Sequence, residues 1–398
     1  MEKNKKSFLI GFVVILLLTN VFSFFFGRYF IKDKFNTSFF SSSERYDKFE
    51  QVKKDLEFMY DGDADEEGLI DGAIKGMAES IGDPYTVYMD SQEYSDFIVQ
   101  STGKYSGIGI QIIAKKDINK IEVVDVFKGS PAEKAGIKPR DYIIKVGNET
   151  VDASSSDRAV TLMKGKEGSS VTVTVFREGD GNIEVTMTRS IVMVNTVVNE
   201  MLDDSIGYIK ISMFDENTSS HLKEKLRELS DSNMKGLILD LRDNPGGLLD
   251  QCVEVVSNFV NKGDLIVSTL GKNSPERRFV SVGGDYVGLP MVILMNGNSA
   301  SASEIVIGAM KDYGLATTIG TNSFGKGIVQ SLHPYPEYHS ALKVTTSKYY
   351  TPLGNNIQGT GFEPDINVEY PDELLKQPYS RENDPQFQKA LEVIKTKI

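Results

Sequence analysis

The hydrophobic period of this 398-residue chain changes twice. Before about residue 100, apolar residues recur at helical spacing. Phe49, Val52, Leu56 and Met59 do so in YDKFEQVKKDLEFMY, and Leu69, Ile70, Ile74, Met77 and Ile81 in EEGLIDGAIKGMAESIG. From about Gly103 to Arg189 the spacing shortens to the alternation of half-exposed strands, most strictly in SSVTVTVFR and IEVTMTRS. From about Val192, apolar runs such as SIGYIKISMF, GLILDLRDNPGG and LPMVILMNG alternate with helical stretches such as SSHLKEKLRELSDS and SASEIVIGAMKDYG. A helix-period pattern does not settle as a strand. The chain therefore holds differently built regions: small helices whose apolar faces are expected to be core, a β-domain, and an α/β domain.

The N-terminus adds a fourth region. No residue from Ser7 through Gly27 is charged, and Lys3, Lys5 and Lys6 precede the run. About 20 apolar residues span a bilayer core as a helix. No A-x-A-like cleavage site follows, so an uncleaved single-pass anchor over residues 1–34 is expected rather than a signal peptide. The lysine bias puts the N-terminus inside and the body of the chain outside the membrane. With only one cysteine, Cys252, no intramolecular disulfide and no cysteine-rich metal site can form. Cys252 lies in the helical stretch GLLDQCVEVVSNFV and reads as a buried, inert thiol. A net charge of −12, from 56 acids and 44 bases, argues against a nucleic-acid binder. Three scattered histidines, His221, His333 and His339, make a metal site unexpected, and no cofactor motif is present.

In the β-region, SPAEKAG reads as a short helix with Ser130 as N-cap, Pro131 at the first helical position and Gly136 beyond the end. With the GIGI loop before it and SDRAVTLMKG after it, the segment resembles a PDZ domain. The resemblance implies capture of protein C-termini: a tail adds as a strand, its carboxylate held by the loop Gly107, Ile108, Gly109 and Ile110.

In the α/β region, GNSASASEI places serines at 299, 301 and 303 on a strand–turn–helix junction. A helix N-terminus at the carboxyl edge of a sheet favours developing negative charge. Ser301-x-x-Glu304 also fits a capping box, and spacing alone leaves the three serines open. Downstream, GTNSFGKGIVQ nearly fits a P-loop. Gly327 replaces the hydroxyl that would hold Mg²⁺, however, and β-like sequence follows where a helix is required. Ser323-x-x-Lys326 fits the S-x-x-K of penicillin-interacting enzymes, but glycines flank the lysine and argue against the helix that motif needs. Lys326 is either a solvated surface charge or a lysine packed among glycines. Burial of the second kind lowers a lysine's pKa and makes it a base.

Taken together, LIDGAIKGMAESIGDPYTVYM, LDLRDNPGG, NSASASEIVIGAMKDYG, GTNSFGKGIVQ and YYTPLGNNIQGTGFEPDI, in this order, resemble the carboxyl-terminal processing (tail-specific) proteases over about residues 44–370. The resemblance implies an α/β and α+β multidomain protein: membrane anchor (1–34), helical region (35–100), PDZ domain (101–190), ClpP/crotonase-like serine protease core (191–370) and helical tail (371–398). It implies Ser301 as nucleophile, Lys326 as general base, Gln330 as the residue orienting the ammonium, and the N–H groups of Gly247 and Ala302 as oxyanion hole, with no metal. It also implies protein or peptide substrates, a membrane-bound catalytic domain outside the cytoplasm, and a homodimer through the terminal helical regions. The competing readings are a catalytically inactive PDZ scaffold on the membrane and a P-loop NTPase.

Overall fold

The computed structural model describes residues 40–398, save residues 194 and 376–378. The anchor expected over 1–34 lies outside the described residues. Among the described residues no helix is long and apolar enough to cross a membrane. The chain divides after Ser80 into two compact units.

The first unit contributes helices α1 (Phe40–Met59) and α2 (Glu66–Glu79). Asp65 caps α2 by accepting from Gly68 N at 3.1 Å. The face expected to be core is only partly covered. Leu69 and Ile74 are half-buried, but Phe49, Val52, Leu56 and Ile70 are exposed, and Met59 and Met77 are 75% and 66% exposed. Among the described residues these two helices do not bury their apolar stripe, so helical period predicted the helices correctly but not their burial.

The second unit begins with a strand inside the stretch expected to be helical, β1 (Val87–Met89), and then α3 (Ser91–Thr102). A reciprocal capping box between Asp90 and Glu93 opens α3, and Gly103, at φ 64°, closes it. The β-domain follows: β2 (Lys104–Gly107), β3 (Ile110–Lys115), β4 (Lys120–Val126), α4 (Pro131–Lys134), β5 (Tyr142–Val146), β6 (Glu149–Thr150), α5 (Ser156–Met163), β7 (Ser170–Arg177), β8 (Gly181–Thr188) and β9 (Ser190–Met193). Its sheet runs β3-β4-β5-β7-β8, with β6 on β5. Ile121, Val123, Ala132, Ala159 and Val173 are fully buried between them. Ser130 Oγ caps α4 and Gly136 closes it at φ 82°, as the sequence predicts. Strands β2 and β9 pair with each other, so the domain leaves the core and returns to it side by side.

The α/β core comprises β10 (Val197–Leu202), β11 (Ile206–Ile211), α6 (Thr218–Asp231), β12 (Gly236–Asp240), α7 (Leu249–Ser257), β13 (Leu265–Gly271), β14 (Ser274–Val280), β15 (Met291–Met295), α8 (Ala302–Asp312), β16 (Thr317–Gly320), β17 (Ile328–Tyr335), β18 (Ser340–Tyr350), β19 (Ile366–Asn367) and a C-terminal helix, α9 (Pro385–Lys395). The main sheet has the order β10-β11-β12-β15-β16-β19, with only β10 antiparallel. Parallel strands buried on both faces read as continuous apolar runs, which explains GLILD and MVILM. Leu237, Leu239, Ile293 and Met295 face α6, α7 and α8. Ile238, Val292 and Leu294 face α9, which seals that side with Phe387, Ala390 and Ile394. A second sheet, β1-β18-β13-β14 with β17 on β18, stands beside the first. β1 docks into it through Val87 opposite Lys343, Tyr88 opposite Leu342 and Met89 opposite Ala341.

Candidate active site

Ser301 is placed by the loop between β15 and α8, and this loop is tied down on both sides of it. Ser299 Oγ donates to Leu241 O at 2.8 Å and accepts from Asn296 N at 3.0 Å. Ser303 Oγ donates to Asn244 O at 2.9 Å. Both flanking serines are fully buried, with their hydroxyls committed to the backbone, whereas Ser301 is half-exposed. The three serines that spacing left open are thus separated by burial. Ser301 takes φ 56°, ψ −113°, a conformation that L residues rarely adopt and that concentrates at functional sites.

Glu304, with no exposed surface, ties the two motif loops together. Its Oε2 accepts from Ser301 N (2.9 Å) and Lys326 N (2.9 Å). Its Oε1 accepts from Ser323 Oγ (2.6 Å) and Gly325 N (2.7 Å). Four donors match the lone-pair capacity of one carboxylate, which is how a buried one is sustained. The capping role expected for Glu304 is one of these four contacts.

Lys326 lies in an extended loop leading into β17, so neither the P-loop helix nor the S-x-x-K helix exists here. The flanking glycines are required by close approach. A Cβ on Gly325 would meet Gly361 N at 2.8 Å, and one on Gly327 would meet Gln358 N at 2.6 Å. Lys326 Nζ sits 4.7 Å from the centre of the Tyr85 ring. Burial and then the neighbouring charge of Lys343 push its pKa below the usual lysine range, while Glu304 and Asp83 oppose this. Burial also lowers Lys343. For Asp83, burial alone would raise the pKa. Hydrogen bonds from Thr345, Thr86 and the Tyr85 N–H, with the Lys326 charge, hold it below the ordinary range. Gln330 sits beside a register shift in the β17–β18 ladder and donates to Thr345 Oγ1 at 3.4 Å.

Opposite Ser301, the turn Asn244–Gly247 crosses the mouth of the loop. Gly246 and Gly247 have φ 104° and 142°. A Cβ on Gly246 would meet Ala300 O at 2.7 Å, and one on Gly247 would fall on Phe214 O. Gly246 N is taken by Asn244 Oδ1 (2.9 Å). The bridge to Phe214 uses Gly246 O and Leu248 N, leaving the Gly247 N–H without an acceptor among the described residues. The Ala302 N–H heads α8 and is similarly unspent.

Ser301, Ala302, Gly247, Lys326 and Gln330 line one cavity of about 530 Å³. Among the described residues their hydrogen bonds run to the surrounding walls, and none joins Ser301 Oγ to Lys326 Nζ. The apolar wall comes from Phe97 and Ile98 of α3, with Met213, Ile305 and Leu332. A separate groove of about 650 Å³ lies on the β-domain, lined by Ile108, Ile110, Ile112, Val160 and Met163. Asn195, Val198 and Ser212 of the core close its far side. Gly107 is buried at the base of the loop. Gly109 takes φ 81°, where a Cβ would strike Ser130. The N–H groups of Ile110 and Gly109 are turned to the Tyr105 hydroxyl, whose pKa burial pushes up to about 12. Cys252 is fully buried and its thiol is pushed upward by burial, as an inert residue should be.

Sequence reasoning did not single out Asp83, Tyr85, Thr86, Lys343 or Tyr105. The first three lay inside a quoted motif with no chemistry attached to them. Lys343 was one polar residue in a β-like run.

Three family models match: Peptidase family S41 over residues 205–368, PDZ domain over 106–187, and Activating protease CtpB N-terminal domain over 31–93. The chain is 36% identical over 379 residues to the carboxy-terminal processing protease CtpA of Bacillus subtilis (strain 168), covering 95% of this chain and 80% of that protein. It is 41% identical over 314 residues to the carboxy-terminal-processing protease of Bartonella bacilliformis, covering 77% and 71%. A solved structure assigned to the S41 proteases, from Bacteroides fragilis, shares the fold at 16% identity, with a TM-score of 0.56 over 87% of this chain and 97% of that one. Likeness at this level over most of the chain shows that it belongs to the S41 carboxy-terminal processing proteases, serine-type peptidases carrying a PDZ domain.

Proposed function

We propose that the chain is a membrane-anchored endopeptidase that captures protein C-termini in its PDZ groove and cuts peptide bonds with Ser301 and Lys326. The observation that carries this reading is the shared cavity. It holds one half-exposed serine on a strained helix entry and one lysine whose charge is disfavoured by burial and by a second lysine. Neutral Lys326 takes the Ser301 Oγ proton as Oγ attacks the substrate carbonyl carbon. The N–H groups of Gly247 and Ala302 hold the oxyanion, and each such donor is worth about 10²–10³ in rate. As the C–N bond breaks, the Lys326 ammonium gives its proton to the leaving amine. Lys326 then takes a proton from water, which attacks the ester and frees Ser301. Gln330 orients the amine.

The full chain is incubated with an unfolded protein and fragments are followed by mass spectrometry. Ser301→Ala and Lys326→Ala are each expected to lose about 10³-fold or more in rate. Wild-type rate should rise with pH through the Lys326 pKa, because the base works only when neutral. Cutting by Ser301→Ala at the wild-type rate would return Ser299, Ser303 and Ser323 as candidate nucleophiles, whereas no cutting by the wild type would favour the scaffold reading.

The groove fits an apolar C-terminal residue among Ile108, Ile110, Val160 and Met163. Residues 7–27 provide the anchor, with the catalytic unit outside the cytoplasm. Protease added to sealed, right-side-out vesicles should then digest the catalytic unit. The exposed apolar face of α1 and α2, with Phe58 91% exposed, supports a homodimer through this region. Light scattering should give twice the chain mass, and Phe49→Glu with Leu56→Glu should halve it.

A further inference from the structure

We propose that Tyr85 is a positioning residue of this active site: the face of its ring is the seat of the Lys326 ammonium that forms when Ser301 gives up its proton. This rests on Lys326 being the base.

The groups around Lys326 lead to the ring. Three charged side chains face it: Lys343 from β18, Glu304 from α8 and Asp83 from the segment before β1. Lys343 repels the ammonium. Glu304 has all four lone-pair directions filled by Ser301 N, Lys326 N, Gly325 N and Ser323 Oγ. Asp83 is spent on the Tyr85 N–H (3.1 Å), Thr86 Oγ1 (2.7 Å) and the Thr345 side chain. Among the described residues no carboxylate forms an ion pair with Lys326 Nζ. What meets it is the Tyr85 ring, 4.7 Å from Nζ to centroid. At that distance the negative face of an aromatic ring attracts a cation, more strongly when water is excluded.

The ring is also held in place. Its own N–H bonds Asp83, and the next residue, Thr86, accepts from Thr345 N at 3.1 Å. The residue after that, Val87, enters the ladder opposite Lys343. The short segment from Asp83 to Met89 therefore carries the ring to the base, and Thr345 links the same segment to Gln330. The Tyr85 hydroxyl has no hydrogen-bond partner among the described residues, so the face of the ring, not its polar tip, is what Lys326 uses.

The test is made on the full chain carrying Ser301→Ala, which cannot digest itself. Competitive acetylation against pH, read by mass spectrometry of the Lys326 peptide, gives the pKa of Lys326 without any need for activity. Tyr85→Leu and Tyr85→Met keep an apolar wall but remove the ring face. Each is expected to lower the Lys326 pKa by about 0.5–1.5 units. Tyr85→Phe should leave it at the parent value. With Ser301 restored, the alkaline-rising limb of kcat should move to lower pH in the Leu and Met variants and not in the Phe variant. Lys311, in the last turn of α8 and ion-paired to Asp365, reports an intact fold by labelling as in the parent. An unchanged or raised pKa in both the Leu and Met variants overturns the proposal, as does a Phe variant that shifts as far as they do. Failure of the base reading itself looks different: Lys326→Ala would then keep full activity, whatever Tyr85 does.

Discussion

Two lysines share one cavity, and only one of them is assigned a proton-transfer role. Lys343 stands across from Val87 on β18, with its Nζ 5.4 Å from the centre of the Phe97 ring and no ion pair among the described residues. Its positive charge makes a second positive charge on Lys326 costly. Removing it should therefore raise the Lys326 pKa. In Lys343→Gln the limb of kcat against pH is expected to move to higher pH, with slower cutting near neutrality and a nearly wild-type rate at high pH. Lys343→Arg should keep the wild-type limb. A KM effect in Lys343→Gln with an unmoved limb would instead make Lys343 a substrate contact. The proposed pair Ser301 and Lys326 stands out in the sequence because each sits in a run of small residues that leaves room for a reactant. Lys343, Tyr85 and Asp83 do not, because a charge or a ring acquires meaning only from what the fold puts beside it.

Short elements carry more of the site than their length suggests. β1 has three residues, too few to stand out against the helical period around it, yet it brings the Tyr85–Thr86 segment to Lys326 and Thr345. α3 read correctly as helical in region but not in role: its Phe97 and Ile98 wall the cavity. The strands and helices of the core and the α4 cap were legible because continuous apolar runs, Pro131 and Gly136 carry direct physical signals. On the PDZ segment, the Tyr105 hydroxyl lies beside the N–H groups of Gly109 and Ile110, in the loop proposed to hold a tail carboxylate. A tail bound in that loop would compete with the hydroxyl. Tyr105→Phe is expected to bind an apolar-ended C-terminal peptide several-fold more tightly by calorimetry, with no change in Lys326 chemistry. Weaker binding would mean that the hydroxyl helps hold the tail.

Over the whole molecule, the C-terminal segment is a structural layer. Arg242 joins β12 to it: the guanidinium bonds Asp240, then Asp384 (2.7 Å) and Gln386 (3.1 Å), all buried. Burial alone would lower the Arg242 pKa, and the two aspartates hold it up. Arg242→Met leaves two buried acids without their cation, a loss of about 3–5 kcal/mol. Thermal unfolding should shift down by several degrees and α9 should become the first segment cut by an added protease. An unchanged melting temperature would show that water replaces the guanidinium at no cost. The tie between Thr86 and Thr345 has a different consequence. The two residues are 259 positions apart, with the PDZ domain and most of the core between them. Contacts that close so long a loop form late in folding. The segment bearing Tyr85 is made well before β18 and must wait for that strand before it has this place to dock. A chain interrupted before β18 would therefore carry both Ser301 and Lys326 but lack the strand that holds the Tyr85 segment beside them.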